Sequence, residues 1–556
     1  SLLALAMSAI LVVSQAGCGS GGKDTGESTA PAAAGTQAET AQEAKEPAEK
    51  GDPFGKYEEP VKMTAMTSIA TTASATDYEN SLWSAKMREL FNIDIEYVFL
   101  AAKEQYDERV NLMLASGDLP DIVLMDRRSD IVNKYIAAGA LVPLNDLIDQ
   151  YGADIQEMYG DILNKSRYED GKNYYLNNWY GLDPDPDRAF CIRMDVLKEL
   201  GYGEKAEKGE AFTQDEFRDI LNRFKETYKD ADGQSAIPLT SNADYMPSVL
   251  STFKAMYGMK NYYEKDGKLY FDVRDPDYLE MVKYMNGLYR DGLLDKEWAV
   301  NKEQIFTQKA GSGRVAATVG LSSDGNRLLK EDNGEDTDKQ FYMFKVVADG
   351  VDPDKTTFSP RSSLGWDAIG ITVKNEHPVE TIKFMNFLAS EEGQYLLMWG
   401  IEGKDWDMED GKHVPRPETL QGFKDDWNTF AKETGIRKWT WFIKNGYGSD
   451  GTPYDLATKY ERDAVSTHAL TSMANSTWDT APYDYIGPAA GTPEALSEQK
   501  IKDIIDTAFT NMVYADSEEQ VVSLYDAMIS EIDANQASAI EAVYTEKYNE
   551  QLALWK

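Results

Sequence analysis

The chain has little of what metal centres, disulfides and nucleic-acid grooves are made of. Among 556 residues there are two cysteines, Cys18 and Cys191, and three histidines, His377, His413 and His468. Cys191 has no second cysteine within the body of the chain, so no disulfide can brace it. Stability must come from surface buried by a long polypeptide. No two histidines stand at metal-ligand spacing, and a Ser-His-Asp arrangement has few candidates. No metal, no cofactor and no catalytic group are expected. Basic residues are also short, 57 Lys and Arg against 95 Asp and Glu, a net charge of −38 with no basic block. Neutralising phosphates takes clustered Lys and Arg, so no nucleic-acid partner is expected. The acidic excess is read as solubility. The apolar run Leu2 to Val13 is about 12 residues. That falls short of the roughly 20 a membrane-spanning helix needs.

That run is followed by Ser14-Gln15-Ala16-Gly17-Cys18. Small residues before a cysteine, after an apolar stretch, resemble the cleavage and lipidation box of bacterial lipoproteins. The match is imperfect: Gln15 stands where that box usually has Leu, and the basic segment and initiating Met are missing. The resemblance implies that 1–17 is a signal peptide truncated at its start. It also implies that acylated Cys18 holds the protein in the lipid bilayer, at the extracellular face of the bacterial cytoplasmic membrane. Two acyl chains supply the two signals that stable anchoring takes. Gly19 to Gly55 is polar and has no aromatic before Phe54. Such a stretch buries too little to order itself, so 18–57 is expected to be a disordered tether.

The body alternates strand-like and helix-like patterns. Ile93, Ile95, Tyr97 and Phe99 alternate with polar residues, as do Ile369, Ile371 and Val373. Asp121-Ile-Val-Leu-Met125 is a short apolar run after Gly117-Asp-Leu-Pro120, the mark of a buried strand. Thr213-x-x-Glu216 is a capping box, with Phe217, Ile220, Leu221 and Phe224 at helical spacing after it. Pro378 and Ser517 open two more apolar-striped helices. Strands alternating with helices of this length predict α/β layers with mainly parallel sheets.

Five segments occur in a telling order: LMLASGDLPDIVLMD from Leu112, CIRMDVLKELG from Cys191, LYRDGLLDKEW from Leu288, AIGITVKNEHPVETIKFMNFLASEEG from Ala368, and WGIEGKDWDMEDGK from Trp399. Together they resemble the extracellular solute-binding proteins, family 1, of ABC sugar importers, in the LplA-like lipoprotein branch. The resemblance spans almost the whole body. It implies an α/β, two-lobed, periplasmic-binding-protein-like clamshell of type II, each lobe a mainly parallel sheet flanked by helices. The first lobe is expected to hold 58–178 plus 345–420, and the second 182–340 plus 425–556. Ligand is expected between them, at the carboxyl ends of strands. Some alginate-binding relatives carry a calcium loop where this chain reads Asp230-Ala-Asp232-Gly-Gln-Ser. The loop here is shortened and lacks the later carboxylates that a hard cation wants, so a plain turn is expected.

A sugar is gripped by flat aromatic faces and by directional donors and acceptors. The loop ends of the expected strands supply both. Asp126 and Arg127 follow one strand, and Trp366 and Asp367 precede another. Trp179 and Tyr180 stand where the chain should cross between lobes. Asn242, Asp244 and Tyr245 follow Ile237-Pro-Leu239, and Trp439 and Trp441 alternate in Lys438-Trp-Thr-Trp-Phe442. These eleven are the expected ligand contacts. Arg127 and Lys438 are the nearby cations identified, too few for a uronate oligomer, so a neutral oligosaccharide is the expected ligand. The expected partners are that oligosaccharide and a membrane-embedded ABC permease, with the protein a monomer. A binding protein for peptide or another solute is the alternative. A surface glycoside hydrolase is the reading from another class, and would need two carboxylates flanking one bond.

Overall fold

A computed structural model describes residues 56–67, 82–99, 103–127, 129–228, 233–321, 326, 337–437, 441–489 and 491–555. The signal and tether expected at 1–17 and 18–57, with Cys18, lie outside the described residues, apart from 56 and 57. So do Asp230 and Asp232 of the shortened loop, and Lys438 and Trp439.

Two sheets carry the fold. Their strands, in chain order, are β1 (Val61–Thr67), β2 (Ile93–Phe99), β3 (Ile122–Asp126), β4 (Leu176–Asn178), β5 (Arg188–Arg193), β6 (Ile237–Ser241), β7 (Val315–Leu321), β8 (Phe341–Phe344) and β9 (Asp367–Ile371). The first sheet is five-stranded, in the order β2-β1-β3-β9-β4, and the second four-stranded, β8-β5-β7-β6. β1 runs parallel to β2 and β3, and β7 parallel to β6. β9 is antiparallel to β3 and β4, and β5 antiparallel to β7 and β8. The pairing is therefore mixed, where strand–helix alternation alone predicts mainly parallel. β9 returns directly from the other lobe and β5 enters directly from the crossing. A strand that joins its sheet on crossing from the other lobe is not bound to the helix crossover that makes βαβ pairs parallel.

Local patterns became elements for the reasons the sequence suggests. In β2, Ile93, Ile95 and Tyr97 are buried while Asp94 and Glu96 face solvent. At the helix Gln214–Thr227, the Thr213 hydroxyl accepts from Glu216 N at 3.1 Å and Glu216 accepts from Thr213 N at 2.8 Å. Such caps contribute about 1 kcal/mol. Phe217, Ile220, Leu221 and Phe224 of that helix are buried, each burial worth about 1.5–3 kcal/mol. The helices Pro378–Ala389 and Glu518–Ala534 begin at Pro378 and after Ser517.

Each sheet has its own apolar core. One gathers Met63, Ile95, Leu124, Leu176, Ile369, Met385 and Trp399; the other gathers Phe190, Phe217, Leu239, Val282, Val319 and Ile532. Two stretches depart from the expected lobe boundaries. Val346 and Phe358 pack into the second core. Trp441, Phe442, Ile443, Tyr454 and Leu456 pack into the first. Long-range pairing decides both. Val346 and Val347 form a ladder with Phe212 and Thr213, while Ile443 N donates to Asn178 Oδ1 at 3.1 Å.

The chain passes between the cores near 181–188, 359–366 and 444–463, and opposite charges strap these passages together. Lys459 pairs with Asp183 at 2.7 Å, Arg462 with Asp185 at 2.7 Å, and Arg361 with Asp187 at 3.6 Å.

Candidate functional site

The site is built on one edge of the first sheet. β3 ends at Asp126, β9 begins at Asp367 and β4 ends at Asn178. The register sets Asp367 beside both Asp126 and Asn178. Three polar side chains thus share one row; Asn178 is fully buried and Asp367 nearly so, which leaves Asp126 the most open of the three. Asn178 Nδ2 donates to Asp367 Oδ2 at 3.3 Å, and its Oδ1 accepts from Trp179 N at 2.8 Å. The residues just beyond the row form an aromatic platform. Trp179 and Trp366 stack with ring centroids 5.5 Å apart and planes 20° from parallel. Trp366 is 39% exposed. The Arg437 guanidinium lies 5.3 Å from the Trp179 centroid and 4.9 Å from that of Trp427. Asp455 holds it through Nη2 at 3.0 Å and Nε at 3.1 Å.

Gly365 makes the platform possible. Its φ is +63°, and a Cβ there would fall inside the Asn178 carbonyl oxygen and 2.8 Å from that of Trp179. Only glycine lets the Trp366 loop lie this close to β4. Left-handed backbone recurs nearby on residues that tolerate it poorly: Trp179 at φ 54°, Arg437 at 57°, Phe442 at 56° and Tyr485 at 61°. Each such residue costs about 1–3 kcal/mol and persists where its surroundings over-determine it, often at a ligand clamp.

Arg127 lies beneath the platform, not on it. It is fully buried. Its Nη2 donates to the Gly365 carbonyl at 2.8 Å, to Ser362 Oγ at 3.1 Å and to Asp484 Oδ2 at 2.9 Å; its backbone N donates to Trp366 O at 2.8 Å. Burial alone would lower its pKa. Asp484, with Tyr485 and Tyr175, more than offsets this, and the pKa rises. Its role is to position the Trp366 loop, because a fully buried guanidinium is out of a ligand's reach.

Two further residues leave the expected contact set. Tyr180 is fully buried, stacked on Tyr159 at 3.8 Å, and Trp441 is fully buried against Tyr97 and Phe384. Tyr180 follows Trp179 directly, but its backbone N donates to Ile443 O at 3.0 Å and its ring joins the first core. Trp441 belongs to the same core, and Trp439 lies outside the described residues.

Asn242, Asp244 and Tyr245 stand on the second sheet, past the end of β6. That end of β6 matches the β7 end whose Leu321 faces Arg188, the first residue of β5. Residues 179–187 therefore run from the platform edge to this edge. The Asn242 side chain is spent on its own turn, accepting from Asp244 N at 3.1 Å. Asp244 pairs with Lys302 at 2.8 Å and accepts from Glu303 N at 2.9 Å; Lys302, then Glu303 N, hold its pKa down. Tyr245 is 41% exposed and supplies an aromatic surface on that side.

Sequence reasoning missed Asn178, Arg437, Trp427 and Tyr485. Only Tyr485 had a visible signal. It lies in Trp478-Asp-Thr-Ala-Pro-Tyr-Asp-Tyr485, where aromatics crowd a Pro- and Asp-rich turn without helical spacing. Among the described residues no group of three His, Cys, Asp or Glu side chains is arranged to hold a metal ion. No described helix is long and apolar enough to cross a membrane.

A family profile described as "Bacterial extracellular solute-binding protein" matches residues 72–395, more than half of the chain. The polygalacturonan/rhamnogalacturonan-binding protein YtcQ of Bacillus subtilis (strain 168) is 23% identical over 464 residues, covering 82% of this chain and 86% of that one. Lipoprotein LipO of the same organism is 24% identical over 318 residues, covering 55% of this chain and 60% of that one. Among solved structures, an ABC-transporter-associated solute-binding protein for HMO from Bifidobacterium longum infantis ATCC 15697 superposes with a TM-score of 0.66. It is 16% identical and covers 88% of this chain and 99% of that one. At that identity the likeness speaks for the two-lobed α/β fold alone.

Proposed function

Because the chain belongs to the bacterial extracellular solute-binding proteins, a family that binds and does not catalyse, we propose that it captures a neutral oligosaccharide over the Trp179–Trp366 platform and delivers it to the permease of an ABC importer. The observation that carries this reading is the stacked, part-exposed tryptophan pair beside the Asp126–Asp367–Asn178 row. Apolar sugar faces stack on such rings, and the part-open carboxylate of Asp126 is placed to take hydroxyls. Neutrality is favoured by charge. Arg127 and Arg437 are already paired with Asp484 and Asp455, while two carboxylates border the platform. A uronate would meet like charge there, despite the polygalacturonan in the name of one relative. Closure of the two lobes, acting as a monomer, would present the loaded form, since only differential affinity for the closed state shifts that equilibrium.

A thermal-shift screen against neutral glycans, oligogalacturonides and a peptide mixture tests this. A true ligand raises the melting temperature increasingly with concentration. Trp366→Ala is expected to weaken the hit by about 10- to 100-fold, roughly 1.4–2.8 kcal/mol, with the fold intact. Trp441→Ala should instead destabilise the first lobe by about 3–5 kcal/mol, because it empties a core site. A shift by peptides and by no glycan would refute the sugar reading.

Anchoring through Cys18 at the extracellular face is part of the same proposal. It is supported by the apolar run before Cys18 and by a lipoprotein among the relatives. In the natural host, Cys18→Ser is expected to abolish acyl labelling and release the protein to the medium. Membrane retention without label would point to another anchor.

A further inference from the structure

Tyr485 has three properties that belong together. Its backbone is left-handed, at φ 61°, which glycine adopts freely and a tyrosine does not. The residue is 39% exposed, matching Trp366. The Arg127 guanidinium lies 5.6 Å from the ring centroid and pins it. An aromatic ring held this way has little freedom left to lose when a ligand stacks on it.

Position adds the rest. Arg127 ties two loops together, bonding the carbonyl of Gly365, beside Trp366, and the carboxylate of Asp484, beside Tyr485. One buried cation thus ties together the loops of two exposed aromatic residues. The Trp366 loop belongs to the first core, and the Tyr485 loop runs from Ala481, buried in that core, into the second. Trp366 adjoins β9 of the first sheet. Tyr485 is followed by Ile486, buried in the second core, and preceded by Tyr483, which stacks on Tyr262 at 5.6 Å and Tyr548 at 5.5 Å on that side.

We propose that Tyr485 is a second stacking subsite for the glycan, joined to the Trp179–Trp366 platform through Arg127 and carried by the second lobe, so that the site selects ligands long enough to reach both rings. This rests on the oligosaccharide reading and adds a length requirement to it. A ligand touching only the tryptophans contacts one lobe; one that reaches Tyr485 spans the junction.

The test is a size ladder of neutral glucans, mannans and fructans, from disaccharide to hexasaccharide, titrated calorimetrically into the intact protein. Wild type is expected to bind the longer members at least about tenfold more tightly than the disaccharide. Tyr485→Ala should erase that gain, about 1.4 kcal/mol per tenfold, while holding disaccharide affinity within about twofold. Tyr485→Phe keeps the ring and should keep the gain. Trp366→Ala should weaken every length. If Tyr485→Ala leaves the ladder unchanged, or lowers all lengths equally, the subsite is refuted while the platform reading survives. The subsite is refuted in the same way if Tyr485→Phe loses the gain as fully as Tyr485→Ala. If wild type binds no member at all, the oligosaccharide reading falls and takes the subsite with it.

Discussion

Gly365→Ala is expected to abolish glycan binding, by at least about 100-fold, or roughly 2.7 kcal/mol. The residue touches no ligand; the effect comes from backbone geometry. The new Cβ would overlap the Asn178 carbonyl oxygen and crowd that of Trp179, at a φ of +63° that alanine resists. The loop must retreat from β4. Retreat carries Trp366 off Trp179, and it pulls the Gly365 carbonyl away from the Arg127 guanidinium, which donates to it at 2.8 Å. A platform residue, a row neighbour and a buried cation are disturbed together. Calorimetry of the variant with the best glycan from the screen reads the affinity. Tryptophan fluorescence reads whether the indole pair has separated. Wild-type affinity with an unchanged spectrum would mean that the loop is not held as described.

Arg127→Met should be the most destabilising single change at the site, by about 3–5 kcal/mol. A buried ion pair broken on one side leaves the other side uncompensated. Asp484 would lose its 2.9 Å partner, and the Gly365 carbonyl and Ser362 hydroxyl would lose their donor. A second substitution distinguishes this cause from simple loss of packing. Arg127→Met combined with Asp484→Leu removes both charges, and replacing a buried pair with apolar groups is often neutral. The double variant should recover much of the lost stability in denaturant unfolding, read on the transition of the first lobe. If single and double variants are equally unstable, the pair is not what the site rests on. A single variant as stable as wild type would show that the buried guanidinium holds nothing in place.

Part of the candidate site was legible locally. Asp126, Trp179, Trp366 and Asp367 were identifiable as loop-end residues because apolar runs and alternation mark where strands stop. The structure brings these four to one sheet edge. The same reasoning failed for Tyr180, one residue past Trp179, because which face of the backbone meets the core depends on what packs there. It failed for Arg127, whose charge predicts exposure, because the partner that makes burial tolerable lies 357 residues away in sequence. Arg437 and Trp427 carried no local mark. Their importance arises from stacking against a ring from another segment.

The sequence by itself determined the elements, their caps and their apolar faces, since hydrophobic period and capping chemistry act over a few residues. It also determined that the body has a single cysteine, Cys191, and a net charge of −38. Only the tertiary structure decided which aromatics face outward, which arginine is buried, and that a glycine holds two tryptophans together. Those outcomes depend on register between strands far apart in the chain, and a period read along one segment carries no information about the segment laid beside it.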